Sequence, residues 1–451
     1  DILEIVFGCW RMGAICLALN FRLTPPEIKF ILDDADAKMV IYDTAFNPVI
    51  DALKPTVEID HWMDTDGMGG DSAYERALAG ATPIYDMHPQ ELEDQCMLMY
   101  SSGTTGAPKG VIITHAMMYF SPASGARGEP YGVNNVTLTN MPLFHIGAFN
   151  ATAIPALWAG AATVVQRVFD PVETVKVIAD KNIGITTLFM VPAAYNAMRA
   201  VPGAADVDYS NIKVAICGAE TVPTALVHWW LERGLKIQEG YGMTETTAAG
   251  CFLQAQHVPD KVGSAGKSLM HSKIRIARED GSVCDPNEQG EIQFKGASIT
   301  PGYWRRPEAT KAAFIDGWFK SGDIGRMDEE GFIYIDDRIK DMYISGGENV
   351  YPAEIENLLY QMDAITEVAV IGLKDERWGE TGCVCAVVKP DASLTLEQIL
   401  AHLDGKLAKY KLPQYLHIMD VLPRNATGKV QKFNLRKIVP EALNFNSEDG
   451  V

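Results

Sequence analysis

The chain has 451 residues, a formal net charge of −19, and a composition 47% hydrophobic and 22% charged. That length allows two or three domains with well-buried cores, and the composition excludes a disordered, collagen-like or low-complexity protein. The acidic balance argues against nucleic acid or an anionic membrane as the main partner, so any phosphate ligand must be held locally by backbone N–H groups and a few placed cations.

From the first residue, Asp1 runs straight into helical periodicity at Ile2, Ile5, Val6 and Cys9, with no initiator Met and no signal peptide. A leading segment is therefore expected to precede this sequence. No apolar run reaches the ~18 residues that suggest a membrane span. Eight cysteines without a dense framework read as reduced thiols of a cytoplasmic protein, the buried C-x-C of Cys383 and Cys385 included.

Up to about residue 240, short apolar strands are expected at 38–42, 95–100, 136–141, 161–165, 185–190 and 213–217, with amphipathic segments such as 223–233 between them. That alternation predicts a large, layered α/β domain with mixed and parallel sheets. Residues 273–295 read as strand, turn, strand around Glu279-Asp280-Gly281, a small β subdomain. Beyond Asp336-Asp337-Arg338 the pattern becomes a compact α+β unit, with helices from 352, from 394 and after 432 and strands at 367–371 and 384–388. The expected domains are 1–337 and a smaller 338–451.

The most informative segment is Tyr100-Ser101-Ser102-Gly103-Thr104-Thr105-Gly106-Ala107-Pro108-Lys109-Gly110, expected between a strand and a helix. Its glycines let the backbone approach an anion, its hydroxyls donate to phosphate oxygens, and Lys109 adds positive charge. It is neither a Walker A loop, which needs G-x-x-x-x-G-K-[ST], nor a dinucleotide fingerprint. A phosphate-binding loop is the reading that remains.

This loop resembles that of the adenylate-forming superfamily, which includes acyl- and aryl-CoA synthetases, peptide-synthetase adenylation domains and luciferases. Gly240-Tyr241-Gly242-Met243-Thr244-Glu245-Thr246 is similar to the family's adenine and magnesium motif. Gly317-Trp318-Phe319-Lys320-Ser321-Gly322-Asp323 is similar to its ribose motif, and Asp337-Arg338-Ile339-Lys340-Asp341 to its hinge. Ser345-Gly346-Gly347-Glu348-Asn349 resembles the loop that meets the thiol acceptor. Pro423-Arg424-Asn425-Ala426-Thr427-Gly428-Lys429 resembles the catalytic-lysine loop.

The resemblance implies an AMP-forming acid:CoA ligase. A carboxylate attacks the α-phosphorus of ATP to give acyl-adenylate and pyrophosphate, and the CoA thiol then takes the acyl group. Two anions must be brought together, so the site has to neutralise charge and align the attack. Lys429 is the expected bridge between carboxylate and α-phosphate, Thr244 a donor to that phosphate, and Glu245 the ligand of Mg²⁺. Asp323 and Arg338 are expected at the ribose. Tyr241 and the Gly218-Ala219-Glu220 stretch are expected around the adenine, near Glu239 and Gly240. Ser101, Ser102, Gly103, Thr104, Thr105 and Lys109 should hold phosphate, and Lys340 should be the hinge.

For CoA the expected contacts are Gly346, Gly347 and Arg167, which lies beside a position where related ligases carry a basic residue. The acid pocket should be walled by His145, Gly147, Phe149 and Gly242. His145 is a gate or wall of that pocket, or a packed histidine, and not a general base. Gly147, where some cinnamate-type ligases carry a bulky aromatic, points to a deeper tunnel. A medium- or long-chain fatty acid is expected, with an aryl or aryl-propenoic acid as the alternative. A non-catalytic nucleotide-binding regulator is the reading from another class. The implied partners are a small carboxylic acid, ATP and CoA, with a homodimer left open and no transmembrane segment.

Overall fold

The computed structural model describes residues 1–101, 108–125, 132–248, 250–375, 377–425 and 428–443. The large domain is organised around a seven-stranded sheet in the order Lys267–Ser268, Cys251–Phe252, Ile237–Tyr241, Val214–Gly218, Thr187–Met190, Val136–Thr139, Ala162–Val165. The last five of these run parallel, and Cys251–Phe252 pairs antiparallel with both of its neighbours. Central position explains the composition of Thr187–Met190, whose four residues are all buried, as expected of a strand covered on both faces. Its core joins Leu138, Leu188, Met190 and Trp230 to the flanking helices Pro192–Arg199 and Thr224–Leu231.

Two strands close so tightly at Gly218 that a Cβ there would lie 2.3 Å from the Gly240 carbonyl oxygen. The next residue, Ala219, has φ of +70°, a left-handed conformation that costs a non-glycine residue free energy and is tolerated where the surroundings enforce it.

The phosphate-loop motif is flanked differently from expectation. Gln95–Ser101 is followed by a second strand, Lys109–Thr114, paired antiparallel with Ser101 opposite Lys109. The loop therefore joins two strands rather than a strand and a helix. Val111, Ile112 and Ile113 favour that strand because branched side chains suit the pleated surface. Ser102, Gly103, Thr104 and Thr105 lie outside the described residues.

The β subdomain is a five-stranded sheet built on Ser272–Ala277, Gly290–Gly296 and Trp318–Met327, with Phe314–Ile315 and Ile333–Arg338 on the long strand. The small domain follows, with a sheet ordered Glu348–Val350, Tyr343–Ser345, Gly379–Val388, Ile365–Asp375, and Tyr415–Ile418 beside Gly379–Val388. Helices Pro352–Leu359 and Leu396–Leu403 pack on this sheet through Ile355, Leu359, Ile399 and Leu403. Thr395 caps the second by the reciprocal bonds of a capping box. Among the described residues no helix is long and apolar enough to cross a membrane.

Candidate active site

A cavity of about 780 Å³ opens where the seven-stranded sheet, the β subdomain and the small domain meet. Ser101, Lys109, Ala219, Glu220, Gly240 and Gly242 stand in its wall, as do Thr244, Glu245, Arg338, Lys340 and Lys429. These come from six separated stretches of sequence, and all but Lys429 stand at a strand end or in the turn that follows one.

Lys429 is delivered by the small domain. Its loop closes on itself through Lys429 N–H to Asn425 Oδ1 at 2.9 Å and Asn425 N–H to the Lys429 carbonyl at 2.8 Å. It docks on the large domain where Val430 N–H donates to Glu220 Oε1 at 3.2 Å and Arg424 pairs with the same carboxylate at 3.5 Å. Burial, then the charge of Arg338, lowers the Lys429 ammonium to about 7. Lys340 is lowered to about 8 by burial and, next, by Arg338. A cluster of partly discharged cations in a closed site is poised for an anion, whose arrival restores the charged forms.

Glu245 sits in the short helical turn Thr244–Thr246. Tyr303 donates its hydroxyl to Glu245 Oε1 at 3.0 Å, and burial raises the Glu245 carboxyl. Lys109 lies over the Tyr303 ring, its ammonium 5.3 Å from the centroid. Among the described residues there is no group of three or more His, Cys, Asp or Glu that would cage a metal. Glu245 is a hard carboxylate in the cavity wall, the type of ligand that suits Mg²⁺ held by one or two carboxylates and substrate phosphates.

Several expected residues stand behind the wall. Asp323 is 4% exposed; Tyr241 donates its hydroxyl to Asp323 Oδ2 at 2.6 Å, and Arg338 Nε lies 3.2 Å from Oδ1. The Tyr241 ring packs against Phe294, centroids 5.6 Å apart. Glu239 is buried in the sheet, and burial alone raises its carboxyl to about 8.

In the expected acid pocket, His145 and Gly242 line the cavity. His145 accepts the Gly147 N–H through Nδ1 at 3.2 Å, and burial, then Lys429, lowers it to about 4. It is a neutral wall residue at physiological pH. Phe149, expected on the wall, is instead 1% exposed in the core with Val6, Met97 and Ile113, because the π-helical turn Phe149–Ala153 directs its ring toward Trp10. Gly147 lines the cavity, with the Phe189 ring beside it. A Cβ there would meet the Phe189 ring at 3.1 Å, so Phe189 already fills the space.

The residues expected for CoA are elsewhere. Gly347 lines a second cavity, also about 780 Å³, with Arg326, Asn349, Tyr351 and Lys411. Gly346 and Gly347 have φ of +62° and +86°, and a Cβ on Gly346 would meet the Trp378 ring at 2.9 Å. Arg167 is tied to the two-stranded unit Met39–Asp43 and His61–Thr65 through an ion pair with Asp43.

Tyr303, Phe189, Trp158, Ser121 and Asn150 line the main cavity but were not expected from the sequence. None lies in one of the motifs quoted above, and Tyr303 finds its partner 58 residues away.

The chain belongs to the AMP-binding enzyme family, matching it over residues 1–304 and its C-terminal domain over 354–429. It is similar to the long-chain-fatty-acid–CoA ligase FadD13 of Mycobacterium tuberculosis, 37% identical over 96% of this chain and 85% of that protein. It is 35% identical to a feruloyl-CoA synthase of Amycolatopsis sp, over 96% of this chain and 86% of the relative. Among solved structures, the o-succinylbenzoate CoA synthetase of Bacillus subtilis with ATP and magnesium matches with TM-score 0.84 and 31% identity, over 97% of this chain and 86% of the other. The chain is thus an AMP-forming acid–thiol ligase.

Proposed function

We propose that the acid is a compact, ring-bearing carboxylic acid, activated as its adenylate and passed to CoA. The observation that carries this reading is the volume of the main cavity, about 780 Å³, which must hold ATP and acid together. Phe189 fills the space beside Gly147, and Phe144, Trp158 and Phe252 supply flat apolar wall suited to a ring. The feruloyl-CoA synthase relative supports it. A long-chain acid is the second reading, favoured by the likeness to FadD13.

In this account Lys429 bridges the carboxylate and the α-phosphate, offsetting their repulsion where it matters, in the transition state. Thr244 and Lys109 orient phosphate oxygens, and Asp323 receives the ribose hydroxyls once Tyr241 and Arg338 yield its oxygens. Glu245 would hold Mg²⁺, which supplies neutralisation of phosphate charge. The small domain, taken as residues 338–451, then turns about Lys340 to exchange the Lys429 loop for the glycine loop at 345–348, a hinge motion between two packed states. CoA meets that glycine backbone, in a cytoplasmic enzyme whose eight cysteines are all free thiols. Pyrophosphate release is the test, measured with ATP over a panel of aryl and fatty acids, with and without CoA. Aryl acids should be turned over at least about tenfold more efficiently; the reverse order would favour the long-chain reading.

A further inference from the structure

The strand Val214–Gly218 ends against the Gly240 carbonyl, and beyond the left-handed Ala219 the side chain of Glu220 meets the small domain. Two groups of the Lys429 loop converge on its carboxylate: the Val430 N–H, 3.2 Å from Oε1, and the Arg424 guanidinium, 3.5 Å from the same oxygen. Arg424 in turn pairs with Glu367 of the strand Ile365–Asp375 at 3.0 Å and donates to the Gly428 carbonyl. The Glu220 side chain is 17% exposed. Burial raises its carboxyl, and the charge of Arg424, then that of Lys429, opposes the rise.

The peptide that Glu220 holds is the one joining Lys429 to Val430, so the contact fixes the backbone from which the lysine side chain springs. The shape of the loop is set within the small domain, where Asn425 closes it and Arg424 grips Gly428 and Glu367. Glu220 supplies something else, the attachment of a preformed loop to the large domain. A largely buried carboxylate answered by a guanidinium and an N–H is a strong contact, and both donors leave it together when the small domain turns. A charged group is worth most to a transition state when its position is fixed in advance.

We infer that Glu220 is a positioning residue for Lys429, a latch that attaches the lysine loop to the large domain during adenylation and is released for thioester formation. Its carboxylate thus serves the lysine loop rather than the adenine, beside which the Gly218-Ala219-Glu220 stretch is expected. This rests on the reading of Lys429 as the adenylating lysine of a turning domain and adds what sets that lysine in place.

Measuring each half-reaction separately tests the latch. Glu220→Ala should slow acyl-adenylate formation at saturating ATP and acid by about tenfold or more, with KM for ATP within about twofold of the wild type. From synthetic acyl-adenylate and CoA it should form thioester at the wild-type rate or faster, because the released arrangement is then favoured. Glu220→Gln keeps an acceptor for the Val430 N–H but loses the charge opposite Arg424, and should lose about fivefold in adenylation; it carries the test where Glu220→Ala lacks a cooperative thermal transition. Glu220→Gln combined with Arg424→Gln should lie within about twofold of Arg424→Gln alone, since both cut the same pair. A rise in KM for ATP with saturated adenylation unchanged would return Glu220 to the nucleotide. Equal losses in both half-reactions of a folded variant, or additive losses in the double variant, would also overturn the latch while leaving Lys429 in its role. Undiminished adenylation in Lys429→Ala would overturn the reading beneath it.

Discussion

Two loops of the small domain face opposite chemical demands. The loop ending in Lys429 is stitched by its own backbone, docked on Glu220, and buries an ammonium in the main cavity. The loop at 345–348 brings no cation. It has two consecutive left-handed glycines, of which Gly347 lines a second cavity, and Ile344, which precedes it, is exposed. Joining a carboxylate to a phosphate needs charge at a fixed point, whereas admitting a long thiol-bearing cofactor needs a backbone that lets it close in. One domain that offers both surfaces can serve both steps by turning.

The sharpest break in this comparison is expected on the charged side. Glu245→Ala should slow adenylation by at least ~10²-fold, since a positioned cation is worth several kcal/mol to phosphoryl chemistry. Single-turnover acyl-adenylate formation checks it, and near-wild-type turnover at saturating Mg²⁺ would remove Glu245 from the role.

The next effects belong to the turning motion and the glycine loop. Lys340→Pro, which fixes φ at the pivot, should slow thioester formation from acyl-adenylate by about tenfold more than it slows adenylation, with Lys340→Ala as the control for lost charge. Equal losses in both steps would move the hinge elsewhere. Gly346→Ala places a Cβ against Trp378 at φ +62°, a strain of ~1–3 kcal/mol. It should cut thioester formation by about tenfold and leave adenylation within about twofold; rapid-quench measurement of each half-reaction decides.

The smallest expected effect is a proton count. Free Lys429 and Lys340 titrate near 7 and 8, so at pH 8 Lys429 is largely neutral and Lys340 about half charged. Bound ATP, an anion, raises both values, so binding should take up protons from solution at pH 8. ATP affinity should correspondingly fall as pH rises from 7 to 9. Calorimetry in buffers of different ionisation enthalpy reads the uptake, and it should shrink in Lys429→Ala. Proton release on binding would contradict the picture.

How much was legible in advance follows the range of the interactions. The strands Gln95–Ser101, Thr187–Met190 and Val214–Gly218 appear as local apolar runs, and the family's loops are contiguous motifs, so Lys109, Glu220, Glu245, Arg338, Lys340 and Lys429 could be named from sequence, whereas Lys432 and Arg436, which also line the cavity, could not. What failed depended on long-range or sub-turn geometry. Phe149 sits one residue from Ala148 and Asn150, and only the π-helical turn decides which of them meets the cavity. Gly147 suggested space because nothing in its neighbourhood announces that Phe189 fills it. The Arg167–Asp43 pair, which spans 124 residues, likewise leaves no local trace, and it does not decide what Arg167 binds. The hairpin after the phosphate loop was missed because Lys109 and Gly110 ended the motif, and the branched run behind them was read as a helix.

The central claim is that Lys429 serves the first half-reaction and not the second. Lys429→Ala should lose ~10²-fold or more in making acyl-adenylate from free acid and ATP, by analogy with removal of one electrostatic donor. Supplied with synthetic acyl-adenylate and CoA, the same variant should form acyl-CoA at close to the wild-type rate, because the charge it provided is no longer needed. A variant folded by circular dichroism yet crippled equally in both assays would contradict the account.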